Sequence, residues 1–507
     1  MAESPSGGTG AAVVAGASWT ALSRVGLQAF SVISATVLAR FVSQRAYGLA
    51  GMAQVVIGFA ALFGNIGASN AIIRQKEIDD DLLTSVFWLN LGMGLLVTAA
   101  CCGSAPFVAK FFNEPGVPAI FQALSLYFAI SSISSVHAAL MNRALQFARL
   151  AAVDLAAGAV AMTVGIVSAV LGAGVWSLVT GALANALVTS VLSIWLYPWR
   201  PGLSFSRRRL GPVLGFGLNL SGFNIVNYFN RNADNLLVGK YLGAVPLAYY
   251  NWGYTLMLYP VQAISWTLGR VLFPAFSQMQ DDLERFGRAY LRACAAIAFV
   301  TFPLMAGVTV LAPEFIAVLL GPKWRPVAPV LRILAPVGMV QSIVSTTGNI
   351  YMAMGKTQVM FRWGMIATGI TVAGFIIGLH WGIMGVATSY AIVMLLTLIP
   401  TFALPFRLIR LRVLDLWIAL WPITRAATAM GVATMAFRRL VMASMPLPPV
   451  VALLVFVPFG AAIYFALMYW WNKPMLVEFF GLARSGLGIL GGGRRRGANA
   501  AGGAGES

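Results

Sequence analysis

Charge is what this sequence has least of. Only 10% of its 507 residues are Asp, Glu, Lys or Arg, and 15 acidic residues stand against 34 basic ones. Histidine occurs twice and cysteine three times. So few carboxylates leave no visible pair for general acid–base chemistry. Cys101, Cys102 and Cys294 all fall in apolar segments, so they read as small core residues and imply no disulfide framework. His137 and His380 fall at the ends of apolar runs and read as ordinary interface residues. No nucleotide-binding loop occurs, which leaves an ion gradient or downhill removal of product as the source of energy. No metal and no cofactor is expected. The segment Met1–Gly10 carries no positive charge, so a cleaved signal peptide is not expected either. The net charge of +19 raises nucleic acid as a partner, but the basic residues are scattered among short loops, and that partner is set aside.

Apolar residues are what is abundant, at 59%. They form about fourteen runs of roughly twenty residues, each long enough to cross a bilayer as a helix. Only helices and closed barrels satisfy their backbone in lipid. The expected fold is therefore an all-α integral membrane protein. Its spans fall near 13–39, 47–68, 84–108, 117–137, 153–171, 174–197, 212–238, 246–276, 288–311, 328–352, 359–379, 382–404, 416–440 and 449–471.

An even number of spans puts both termini on one side, and basic residues decide which. With the N-terminus inside, 21 of the 34 Lys and Arg residues fall in inner loops and span ends, against 9 outside. Both termini are expected in the cytoplasm.

The chain also echoes itself at offsets of about 200 to 211 residues. Ala105-Pro106 matches Ala312-Pro313, and Leu38–Ser43 resembles Val238–Gly243. Gly174–Ser177 resembles Gly385–Thr388. The order of these matches suggests that spans 1–6 are duplicated as spans 7–12 in the same orientation. Such parallel repeats pair two bundles about an axis along the membrane normal, with a site at their interface. The expected organisation is a tail at 1–12, a six-helix bundle at 13–200 and a basic linker at 201–211. A second six-helix bundle follows at 212–404, then an added helix pair at 405–472 and a disordered basic tail at 473–507. Arg494-Arg495-Arg496 in that tail would lie near anionic headgroups.

Polar residues inside spans are costly in lipid unless they face a cavity or a partner. Span 1 places Thr20, Arg24, Gln28, Ser31 and Ser34 on one helical face. Span 7 does the same with Asn224, Asn227, Arg231 and Asn235, and span 8 with Trp252, Thr255, Tyr259, Gln262, Trp266 and Arg270. These stripes suit a hydrated cavity for a sugar chain: amides and hydroxyls pair with hydroxyls, and aromatic faces stack on rings. For span 7, helix–helix packing is the competing reading. Arg231 and Asp234 sit at i and i+3, so a local ion pair competes with a substrate role. Tyr197, Trp199, Trp324, Trp470 and Trp471 read as interface anchors, Lys240 as a headgroup contact, and Asp79-Asp80-Asp81 as a helix start.

Arg24 and Arg270 each lie roughly 10–14 Å below the inner surface, at 1.5 Å per residue. No acidic residue lies one turn from either in the sequence. Guanidinium forks bind phosphate oxygens in a bidentate way, so the pair reads as a receptor for an anionic group; snorkelling to the headgroups is the alternative. Asp154, Asp234 and Glu314 are the membrane-adjacent carboxylates that could couple an ion, with Asp154 and Asp234 carried as candidates.

Several segments resemble a known family. They are Asp234–Gly243 with Leu247–Asn251, Pro260 and Phe273–Gln278, together with Leu38–Phe41 and Tyr47-Gly48. They resemble the lipopolysaccharide and colanic-acid exporter-like branch of the multidrug/oligosaccharidyl-lipid/polysaccharide exporter superfamily. The resemblance implies two six-helix bundles around a V-shaped cavity and alternating access. It implies the task of moving an undecaprenyl-pyrophosphate-linked oligosaccharide from the inner to the outer leaflet of a bacterial inner membrane. Partners would be that glycan lipid, the bilayer, and the polymerase and chain-length machinery of the same pathway. In related lipid-linked precursor flippases, arginines of spans 1 and 8 line the cavity, which Arg24 and Arg270 match by position. Spans 13 and 14 resemble those that form a lipid-tail groove in the peptidoglycan-precursor flippase. Two other readings stay open: a multidrug cation exporter, which would favour carboxylates in its cavity, and a membrane polysaccharide polymerase or ligase, which would need a large outer loop.

Overall fold

A computed structural model of the chain describes residues 8–64, 72, 78–206, 228–229 and 231–500; for 8–18, 20–22, 263–275, 478–480 and 482–500 it describes the backbone only. Among the described residues all regular structure is helical. The helices are α1 (Gly8–Phe41), α2 (Gln44–Gly64), α3 (Asp80–Phe112), α4 (Val117–Arg143), α5 (Phe147–Val170) and α6 (Trp176–Leu196). A helical segment at 231–242 leads into α7 (Ala244–Ser277), followed by α8 (Leu283–Leu319) and a short 3-10 turn, Pro322–Trp324. Then come α9 (Val327–Val344), α10 (Thr347–Ala353), α11 (Thr357–Gly378), α12 (Gly382–Leu408), α13 (Val413–Ser444) and α14 (Pro449–Ala500). Ten stretches among the described residues are long and apolar enough to cross a membrane. The described helices overlap the positions of the expected spans, but the stretches that meet this test number ten rather than fourteen, span 10 is split between α9 and α10, and most of span 7 lies outside the described residues.

Local chemistry sets the helix ends. Asp79 caps α3: its backbone is extended (φ −112°), and its Oδ1 accepts the Leu82 N–H at 3.1 Å. Asp80 and Asp81 follow in the first turn, where the helix dipole favours negative charge. At the other end of α3, Asn113 takes a left-handed conformation (φ 54°) and donates its N–H to the Ala109 carbonyl. Helix α8 breaks at Leu311 (φ −99°, ψ 17°), two residues before Pro313, which has no N–H to continue the ladder. Helix α14 breaks at Asn472 (φ −156°, ψ 59°), two residues before Pro474.

The chain divides into two compact units that interleave in sequence. The first comprises Met1–Trp252, Leu319–Val330 and Thr368–Tyr390; the second comprises Gly253–Val318, Leu331–Ala367 and Ala391–Ser507. In the first unit, small residues allow close helix approach. A Cβ on Gly181 of α6 would stand 3.1 Å from the Ala161 carbonyl oxygen and 3.5 Å from the Gly165 Cα of α5. A Cβ on Gly48 of α2 would run into the carbonyl of Ala244 at the start of α7. In the second unit a cluster of Phe276, Phe286, Tyr290, Phe402 and Phe406 forms the apolar core of α7, α8 and α12.

Candidate functional site

In the first unit, helix α1 carries the polar stripe. Arg24, Gln28 and Ser31 are exposed, and Ser31 and Ser34 help to line a cavity of about 270 Å³. Its other walls come from Gly158, Ala161 and Gly165 of α5 and from Ser177, Gly181 and Asn185 of α6. Side chains this small leave room between the helices, while Ser34, Ser177 and Asn185 give the walls hydrogen-bonding groups. Asp154 is exposed on α5.

Arg231 and Asp234 part company. Arg231 is exposed, whereas Asp234 is only 4% exposed and accepts a hydrogen bond from the Tyr250 hydroxyl at 3.0 Å. The local ion pair does not form. Asn224 and Asn227 lie outside the described residues. In the second unit Tyr259 is half-buried and Gln262 exposed, one turn apart on α7. Trp266 and Arg270 follow on the same helix, with only their backbone described.

Trp324 is not an interface anchor. It is fully buried and donates its indole N–H to the Ala39 carbonyl at 2.8 Å. Tyr47 and Trp252 surround it, with ring centroids 5.3 and 5.9 Å away. Beside it, the Lys323 ammonium donates to the carbonyls of Arg40 (3.1 Å) and Val42 (2.7 Å), and burial pulls its pKa below the usual lysine value. Three carbonyls at the C-terminal end of α1, which the helix itself cannot satisfy, thus find donors on one distant turn. Gly321 (φ 99°) gives that turn its entry. The sequence disguised Trp324 because a Trp near a span end ordinarily faces headgroups. Lys240 is exposed, its Nζ 4.2 Å from the centre of the Phe111 ring.

The second unit holds an apolar groove of about 570 Å³ between α7, α8, α13 and α14. Leu304 and Phe315 of α8, Met430 of α13, and Leu453, Val457 and Phe465 of α14 are among its walls. At one end Glu314 and Arg438 form a buried ion pair: Oε1 accepts from Nη2 at 2.6 Å and from Nε at 2.8 Å. At the other end the Tyr464 hydroxyl donates to the Phe299 carbonyl at 3.0 Å. Beyond it, Arg425 lays its guanidinium on Trp471, 4.7 Å from the ring centre. The sequence placed Arg425 inside a span without giving it a role. The signal was present: an arginine deep in an apolar run with no acidic residue within a turn.

This architecture is that of a multi-pass, helical membrane protein. It superposes on the lipid II flippase MurJ in an inward closed conformation with a TM-score of 0.73, at 14% identity, covering 91% of this chain and all of that one. An inward-facing multidrug resistance MATE family transporter of the MOP superfamily gives a TM-score of 0.59 at 18% identity, over 76% of this chain and 94% of the other. At such identities the likeness is one of fold. Sequence carries the assignment further: residues 37–329 match the family described as polysaccharide biosynthesis protein, and the chain belongs to that family. Relatives include the lipopolysaccharide biosynthesis protein WzxC of Escherichia coli (strain K12), 28% identical over 80% of this chain and 84% of its own length. The succinoglycan biosynthesis transport protein ExoT of Rhizobium meliloti (strain 1021) is 26% identical over 71% of this chain and 74% of its own.

Proposed function

We propose that this protein is a flippase. It moves an undecaprenyl-pyrophosphate-linked oligosaccharide repeat unit from the cytoplasmic to the periplasmic leaflet, for a surface polysaccharide such as exopolysaccharide, capsule or O-antigen. It works by alternating access and is not an enzyme. The presence in one chain of an apolar groove and of polar helix faces carries this reading, because a substrate with a long lipid tail and a hydrophilic head needs both environments at once. Family membership and a fold shared with a lipid II flippase support it.

In this reading Arg24, Gln28, Asn224, Asn227, Arg231, Tyr259, Gln262, Trp266 and Arg270 face the glycan and its pyrophosphate, with the guanidiniums meeting the phosphates. The groove of α8, α13 and α14 takes the tail. Both termini lie in the cytoplasm, the polymerase and chain-length machinery of the pathway receive the product, and Asp154 or Asp234 couples an ion. A multidrug exporter is the second reading, favoured by the likeness to the MATE fold. Against it stand arginines where cation transport calls for carboxylates.

Deletion of the gene in its host tests the proposal. Spheroplasts of the deletion strain should accumulate lipid-linked oligosaccharide that an externally added glycosidase cannot reach, and re-expression should restore access. Glycan equally exposed with and without the protein would overturn the flippase reading. Drug sensitivity in place of glycan accumulation would favour the multidrug reading.

A further inference from the structure

In the first unit, the segment that follows α6 is fastened to the start of α3 at every second residue. Gly202 donates its N–H to Thr84 Oγ1 at 3.2 Å, and its carbonyl accepts the Trp88 indole N–H at 2.9 Å. Ser204 donates its hydroxyl to Asp81 Oδ1 at 2.8 Å, and Ser206 donates its N–H to Ser85 Oγ at 2.9 Å. Just before them, His137 Nε2 donates to the Trp199 carbonyl at 3.1 Å. The residues in between turn away from α3: Leu203 is 93% exposed and Phe205 57% exposed.

Two large apolar side chains held out in this way cannot fold back for cover, because the backbone on either side of them is tied down. The aromatic residues set their level. Trp88, which holds Gly202, is itself exposed, and so is Trp195 near the end of α6. Exposed tryptophans at the ends of apolar helices mark the boundary between acyl chains and headgroups. Leu203 and Phe205 therefore stand at that boundary. Exposed guanidiniums flank them: Arg200 precedes the pair, and Arg149 is steadied at the end of α6 by donating to the Leu196 carbonyl at 3.1 Å. Arg207-Arg208-Arg209 follow in the sequence. Of the acidic residues nearby, Asp79 caps α3 and Asp81 is engaged by Ser204, so the local excess of charge is basic.

We propose that residues 200–206 form a wedge that binds the anionic phospholipid surface at the α3 start, with Leu203 and Phe205 among the acyl chains and Arg149 and Arg200 on the headgroup phosphates. Apolar insertion beside basic side chains is the chemistry of an interfacial anchor. Here hydrogen bonds to α3 supply the rigidity that a helix supplies elsewhere, so little ordering remains to be lost on contact with lipid. With the orientation proposed above, the leaflet is the cytoplasmic one. The wedge holds whatever substrate the protein carries, and it gives the chain leading out of the first unit a fixed point of departure in the membrane.

A fluorophore attached to Phe205→Cys tests the contact, in full-length protein whose three native cysteines are replaced by serine. The protein is placed in nanodiscs of phosphatidylglycerol and phosphatidylcholine in equal parts, one of the two lipids carrying a nitroxide quencher on its acyl chain. A nitroxide high on the chain should quench more than one at the chain end, because an inserted side chain sits about 5–10 Å below the headgroup boundary. Nitroxide on phosphatidylglycerol should quench more than the same group on phosphatidylcholine, through a local enrichment of about fivefold per arginine. The Arg149→Gln, Arg200→Gln double variant should make the two lipids equal while the depth stays the same. Quenching by aqueous iodide in place of lipid nitroxide would put the wedge in water and overturn the proposal. Protection from both quenchers would mean that protein covers it, and would overturn it equally. Equal quenching by the two lipids in the presence of both arginines overturns the assignment to anionic headgroups. Both leaflets of a nanodisc carry the quencher, so a reversed orientation of the chain would leave these outcomes unchanged.

Discussion

Glu314 holds Arg438 through a single oxygen. Oε1 accepts both guanidinium hydrogen bonds, at 2.6 and 2.8 Å, while Oε2 is buried with no partner. The pair ties α8 to α13 at the end of the groove. Removing one member leaves the other charge buried, which is far costlier than removing both.

Glu314→Ala should therefore destabilise the protein by about 3 kcal/mol, toward the low end for a broken buried pair because Arg438 keeps some solvent contact. The Glu314→Leu, Arg438→Leu double variant should recover most of the loss. Thermal unfolding in detergent, run as a double-mutant cycle, reads the coupling directly. An additive double variant would show that the pair carries no interaction energy.

Trp324→Ala should cost about 3–5 kcal/mol, the range for emptying a large aromatic site in a packed core, and should also orphan the Ala39 carbonyl. Trp324→Phe keeps much of the volume but loses the donor, so its cost should be smaller, on the order of 1–3 kcal/mol. A true headgroup anchor would lose almost nothing in either variant. Melting temperatures of the two purified variants separate the cases.

Arg24→Ala and Arg270→Ala should each abolish polymer export while the protein remains inserted and folded. Lysine at either position should rescue only part of it, because an ammonium offers a point charge rather than a planar fork. Export by the double alanine variant at the wild-type level would mean that these guanidiniums merely reach for headgroups. Polymer yield per unit of membrane-inserted protein is the measurement.

Reporter fusions after Arg209 and Ser507 should be active only with a cytoplasmic reporter, given the basic-residue asymmetry of 21 to 9. A periplasmic signal at both places would reverse the orientation. One signal of each kind would break the even number of spans.

Periodicity and length made the helices legible, since lipid forces a hydrophobic run to be a helix of fixed minimum length. The start of α3 at Asp79 was legible too, because an N-cap is a local device. Tertiary partners were not. Nothing near Trp324 in the sequence announces that its N–H belongs to Ala39, 285 residues away. Arg231 and Asp234 had the spacing of an ion pair, but Tyr250 took the carboxylate and buried it. Glu314 looked like a free coupling carboxylate until Arg438, 124 residues on, was found beside it. Spacing identifies neighbours on one helix; it says nothing about which other helix lies across from them.

The turn at Pro322–Trp324 also bears on how the protein is made. The stretch Leu319–Val330 belongs to the first unit, although the chain on either side of it belongs to the second. During synthesis α1 enters the membrane long before the ribosome reaches Lys323 and Trp324, so the carbonyls of Ala39, Arg40 and Val42 wait for their donors through nearly three hundred residues of elongation. A fragment cut after α7 would hold all of α1 to α6 and still lack this keystone. The first unit is thus a product of the finished chain and cannot mature as a nascent N-terminal module.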